Sequence, residues 1–92
     1  MNDKIKAYIG LAQRSGAVLY GEDIICEKKR LAKVLLIDSA APDKYRQRVA
    51  NKLSELPTYI VEELCKALHR DGVYAVAITN ESLAQAIINI LR

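Results

Sequence analysis

Cys65 and His69 are the first residues whose types and spacing could do chemistry. Four positions apart, they would share one helical face, and a thiol beside an imidazole is the smallest nucleophile–base pair. Such a pair needs a third group to orient the base, and no residue pattern here supplies one. A packed thiol, and a histidine favoured by the negative end of a helix dipole, account for the two residues more simply. Metal binding by Cys26, Cys65 and His69 would need convergence from distant positions, without the ligand spacing that marks zinc sites. No catalytic residue and no metal ligand is therefore assigned. The two cysteines form no C-x-x-C pair and are expected to be reduced thiols.

Phosphate chemistry has a different candidate. Gly16 and Gly21 form G-x-x-x-x-G, but the Lys-Ser/Thr that would follow in a phosphate loop is missing, so both read as turn glycines. Gly21 lies between a short strand and a helix, where small α/β proteins commonly hold anions. Here it is followed at once by Glu22 and Asp23. At the positive end of a helix dipole each acid stabilises its helix by about 0.3–1 kcal/mol. Each would repel a phosphate placed there by about 1–4 kcal/mol at close range. A carboxylate can still accept hydrogen bonds from base amino or imino groups. Asp23 could thus read a base while Arg14, Lys28 and Lys29 take the backbone. Asp38, at the end of an apolar run, is either a ligand group or a loop cap.

Bases fall into two sets. Arg14, Lys28, Lys29, Arg30 and Lys33 surround the first strand–helix unit, and Lys44, Arg46, Arg48 and Lys52 form the second. A net charge of +3 tilts the chain toward an acidic partner without requiring one, because charged helix faces are usually just solvated.

These residues must be positioned by a single domain spanning 1–92, since the length allows no more. Asn2 can cap a helix carrying Ile5, Ile9 and Ala12, and Ser15-Gly16 stops it. Ala17 to Tyr20 is a short strand. A helix from Gly21 runs from acids to bases, ending at Lys28, Lys29 and Arg30. Lys33 to Asp38 reads as a strand buried on both faces. A helix from Pro42 buries Tyr45, Val49, Leu53 and Leu56, and Pro57 breaks it. Thr58 to Val61 is a strand, Glu62 to Arg70 a helix, and Val73 to Ile78 the second long buried strand. Thr79-Asn80 caps a last helix through Leu83, Ile87, Ile90 and Leu91. This alternation predicts an α/β fold, a three-layer α/β/α sandwich with a four-stranded mixed sheet. Met1-Asn2-Asp3-Lys4 opens directly into an amphipathic pattern and no apolar run nears about 18 residues, so a cytoplasmic protein without membrane contact is expected.

G-L-A-Q-R-S-G-A-V-L-Y-G-E-D-I, from Gly10 to Ile24, resembles the opening of the bacterial YlxQ-type branch of the ribosomal protein L-seven-Ae / L-thirty-e family. The resemblance continues through A-K-V-L-L-I (Ala32 to Ile37), E-L-C-K-A-L-H-R-D-G-V-Y-A-V-A-I (Glu63 to Ile78) and the closing apolar helix. It spans almost the whole chain, with small deletions before Ala32, around Pro57 and before Glu62. It implies an α/β/α sandwich and a non-catalytic protein without cofactors. It also implies binding of structured RNA, a kink-turn or rRNA, through the turn at Gly21 and the loop before the last strand. Gly21 matches the family's turn glycine. Asp23 stands where kink-turn binders use an asparagine, Ile24 where they use a glutamate, and Glu27 where they use a lysine. Cys65 and His69 replace two glycines usual in the family, and Asp71, Gly72 and Val73 occupy the second RNA-contacting loop. The RNA-binding candidates are accordingly Arg14, Gly21, Glu22, Asp23, Ile24, Lys28, Lys29, Asp71, Gly72 and Val73. The expected partners are rRNA or another structured RNA and the ribosome, with the protein a monomer. The other reading is a trimmed paralogue that has lost RNA binding and serves as a protein-interaction module.

Overall fold

The run Val34–Asp38 (β2) is a strand buried at every position, and the sheet is built around it. The computed structural model describes residues 2–92; the first residue of the expected 1–92 domain lies outside them. Before β2 come α1 (Asp3–Arg14), β1 (Val18–Tyr20), α2 (Glu22–Glu27) and a 3-10 turn at Lys29–Leu31. After it come α3 (Asp43–Lys52), β3 (Thr58–Val61), α4 (Leu64–Leu68), β4 (Ala75–Ile78) and α5 (Glu81–Leu91). The strands are ordered β1-β4-β2-β3. β4 runs antiparallel to both neighbours, with Leu19 opposite Ala77 and Leu36 opposite Val76, while β2 and β3 are parallel, with Ile37 opposite Ile60.

Alternation along the central strands divides the core in two. Val34 and Leu36 of β2, with Val76 and Ile78 of β4, pack against Ile9 of α1, Leu64 and Leu68 of α4, and Ile87 of α5. Leu35 and Ile37, with Ala75 and Ala77, pack against Ile25 of α2 and Val49 and Leu53 of α3. Each fully buried Leu or Ile contributes about 1.5–3 kcal/mol relative to exposure. Helices thus cover both faces of a mixed four-stranded sheet, which is the α/β/α sandwich that the alternation of elements predicts. Among the described residues no helix is long and apolar enough to cross a membrane.

The caps behave as their residue types dictate. The Asn2 side chain accepts from the Lys4 N–H at 2.7 Å, and that of Asn80 from the Leu83 N–H at 2.9 Å. Three helices are shorter than the sequence suggests. α3 ends at Lys52, so Leu53 and Leu56 lie beyond it in the turn before Pro57. α2 ends at Glu27, so Lys28, Lys29 and Arg30 lie beyond it instead of in its last turn. The chain tightens there because Ala32 must enter the core and Lys33 N–H bonds the Ile78 carbonyl, which aligns β2 against β4. α4 covers only Leu64–Leu68, because Glu63 and His69 at its two ends both adopt left-handed backbone, at φ 58° and 56°.

Candidate functional site

The C-terminal ends of β1, β2 and β3 and the start of β4 lie at one end of the sheet. Backbone hydrogen bonds fasten them together: Gly21 N–H to the Ala75 carbonyl at 2.9 Å, Asp38 N–H to Tyr74 at 2.8 Å, and Ser39 N–H to Val61 at 2.9 Å. The Gly21 turn and the Asp71–Val73 loop are therefore neighbours. Gly21 has φ 86° and ψ 153°, and a Cβ built on it would meet nothing within 4 Å. Glycine is required there by backbone conformation and not by crowding.

Glu22 answers the electrostatic puzzle posed by the acids after Gly21. Its carboxylate receives Arg48 through two nitrogens, at 2.9 and 3.3 Å, and Lys52 at 3.3 Å, both from α3. The Arg48 hydrogen bond in particular holds the Glu22 carboxyl below its ordinary range. Arg48 also lies 5.2 Å from the centre of the Tyr45 ring, which meets Tyr74 edge-on at 6.0 Å. Glu22 thus joins α2 to α3, and two cations of the second basic set are occupied with it. Asp23 and Ile24 are exposed, the latter 42%.

Asp38 is the one buried charged residue among the described residues, 2% exposed. Its Oδ1 accepts from Ala40 N–H at 2.9 Å and its Oδ2 from Cys65 N–H at 3.0 Å. Burial opposes its charged form, but these backbone donors outweigh burial and hold its carboxyl below the ordinary range. Of the two roles open to it, loop cap or ligand group, the hydrogen bonds make it a cap. It closes the turn after β2 and also holds the first turn of α4. The Cys65 thiol donates to the Val73 carbonyl at 3.1 Å, and His69 is not among its hydrogen-bond partners. Burial pushes the thiol's pKa up, and the Asp38 carboxylate adds to that. A thiol so placed is a poor nucleophile at neutral pH. No group of three or more metal-ligating side chains occurs among the described residues.

Gly21, Glu22, Asp23 and Ile24 lie at the same end of the sheet as Asp71, Gly72 and Val73, joined through the Gly21 to Ala75 bond, while Asp71 and Gly72 line the cleft beside Asp38. Lys28 and Lys29 do not join them. They follow the far end of α2, roughly 9 Å along its axis from Glu22, and Lys29 is paired with Glu55 at 2.7 Å. Arg14 ends α1, on the other face of the sheet from α2. It lines a groove between α1 and α4 with Lys6, Lys66 and His69.

Three residues not singled out in the sequence connect that groove to the loops. Gln13 donates through Nε2 to the Leu68 carbonyl at 2.9 Å and to the Tyr20 hydroxyl at 3.1 Å. The Arg70 guanidinium lies 4.1 Å from the centre of the Tyr20 ring. Arg70 and Tyr20 directly precede the Asp71–Val73 loop and Gly21, and that adjacency was the only signal of them in the sequence.

Fold and site together define a small mixed α/β protein whose Gly21 turn and Asp71–Val73 loop lie at one end of the sheet. A protein with unknown function from Bacillus halodurans C is similar in structure, with a TM-score of 0.87 and 15% sequence identity over 98% of each chain. At that identity the likeness concerns the fold. No family model matches the chain, and no curated protein does.

Proposed function

We propose that this protein is a non-catalytic RNA-binding protein of ribosomal type. It takes structured RNA, a kink-turn or an rRNA element, at the sheet end made by the Gly21 turn and the Gly72 loop. The observation that supports this reading is the Gly21 N–H to Ala75 carbonyl bond, which fastens the Gly21 turn to the first residue of the strand that follows the Asp71–Val73 loop. The neutralisation of Glu22 by Arg48 and Lys52 supports it further. Of the turn's two acids, Asp23 is exposed and makes no ion pair among the described residues, so it can accept from base edges. A cytoplasmic ribonucleoprotein or ribosome-associated setting follows from this reading.

Filter-binding titration tests it, with a stem–internal-loop–stem RNA and rRNA fragments set against duplex DNA of equal length. Submicromolar retention of a structured RNA, lost on Gly21→Val, is the expected result. Equal, weak retention of every nucleic acid would count against it. A second reading, a paralogue that binds protein instead, is favoured by Ile60. That residue is 50% exposed on the edge strand β3, beside a cleft lined by Ile5, Val61, Ile90 and Leu91.

A further inference from the structure

α1 and α4 pack side by side and leave a groove of about 680 Å³. Lys6, Arg14, Lys66 and His69 line it, and no carboxylate does. Lys6 and Arg14 are exposed and make no ion pair among the described residues, whereas Lys29, Arg46, Arg48 and Lys52 all do. Lys66 stands at the border, its Nζ 3.1 Å from Glu63 Oε2. Gly10 shapes the groove wall: a Cβ there would stand 3.4 Å from Arg14 Nη1, so the guanidinium lies back over the bare helix backbone. At the groove's end Gln13 fixes the Tyr20 hydroxyl, and Arg70 covers the Tyr20 ring.

Unpaired cations along an open groove suit a chain of anions better than one small anion, which needs a closed cradle of converging donors. A guanidinium lying over an aromatic ring can present its outer side to a nucleobase. We propose that this groove is the phosphate track of the RNA site, and that Arg70 on Tyr20 seats a base where the track meets the Gly72 loop. The proposal rests on RNA binding at the sheet end. It moves the backbone contact away from Lys28 and Lys29 to the opposite face of the sheet.

The test is fluorescence anisotropy with a labelled stem–internal-loop–stem RNA across a salt series. The variants are Lys6→Gln/Arg14→Gln, a charge-matched control Lys33→Gln/Lys44→Gln, and Arg70→Lys. All five positions are exposed, so the fold should persist in each. The groove variant should lose about tenfold or more in affinity, and its slope of log K against log salt should fall by about 1 per lost contact. The control should stay near wild type. Arg70→Lys should keep the slope but lose about tenfold, because charge remains and the stacking plane goes. A groove variant indistinguishable from the control overturns the track. An Arg70→Lys protein equal to wild type overturns the plate. In both cases RNA binding itself stands. A wild-type protein that binds no structured RNA overturns the proposed function, and the groove proposal with it.

Discussion

On one flank of α4 lies the groove against α1, rimmed by Lys6, Arg14, Lys66 and His69. On the other lies a cleft of about 650 Å³ whose lining includes Asp38, Glu62, Glu63 and Asp71. Lys66 borders both. The charges on the two flanks are used differently. In the cleft, Asp38 is consumed by the fold, its two oxygens holding the turn after β2 and the start of α4. In the groove, Lys6 and Arg14 make no ion pair among the described residues. A buried charge with backbone partners signals architecture, because burial without them would be prohibitive. Two exposed cations with no ion pair among the described residues leave their interaction for something outside the molecule. The acidic cleft is therefore read as the closure of the sheet end, and the basic groove as the working surface.

The sharpest way to break this comparison is at Asp38. Asp38→Ala should lower stability by about 3 kcal/mol in urea denaturation, since it strands the N–H groups of Ala40 and Cys65. If stability were unchanged and RNA affinity fell, the cleft and not the groove would be the functional side. The pH dependence has a defined sign. The Asp38 carboxyl is held below its ordinary pKa in the folded protein, so the unfolded chain takes up this proton first as pH falls. Its contribution is complete above about pH 4, the unfolded value, and is lost as pH drops through the folded pKa. Asp38→Asn should flatten that acid limb in denaturation followed by circular dichroism.

A smaller effect is expected at His69, where α4 ends in left-handed backbone. His69→Gly should raise stability by about 1 kcal/mol by relieving that conformation, and His69→Val should lower it by a similar amount. If RNA affinity drops at the same time in the glycine variant, the imidazole belongs to the groove's cationic surface. The smallest expected effect is at the border of the Gly21 turn. Glu22→Gln releases Arg48 and Lys52 and removes one negative charge. Affinity for structured RNA should then rise about two- to fivefold at low salt, and the gain should fade as salt increases.

Much of the architecture was legible because hydrophobic period and chain breakers act locally. The uninterrupted run Val34–Ile37 requires burial on both faces, and the structure places alternate residues in the two core layers. Asn2 and Asn80 cap the helices they precede, because an N-cap is satisfied within three residues. The ends of α2 and α4 were not legible. α2 stops where Ala32 is drawn into the core, and α4 is capped by a carboxylate 27 positions earlier in the chain. The Gly21 turn and the Asp71–Val73 loop were visible as turns in the sequence. Their adjacency depends on β1 pairing with β4, which no local pattern encodes.

Charge shows the division between sequence and tertiary structure most plainly. The sequence determines how many lysines and arginines there are and which helices carry them, because side-chain type and helical period are properties of the chain itself. Only the tertiary structure decides which of them are occupied. Arg48 and Lys52 meet Glu22, and Lys29 meets Glu55, across distances that folding alone closes. Lys6 and Arg14 are left facing a groove that exists only once α1 packs beside α4. An ion pair depends on separation in space, and Coulomb attraction at a few ångströms is indifferent to separation along the chain.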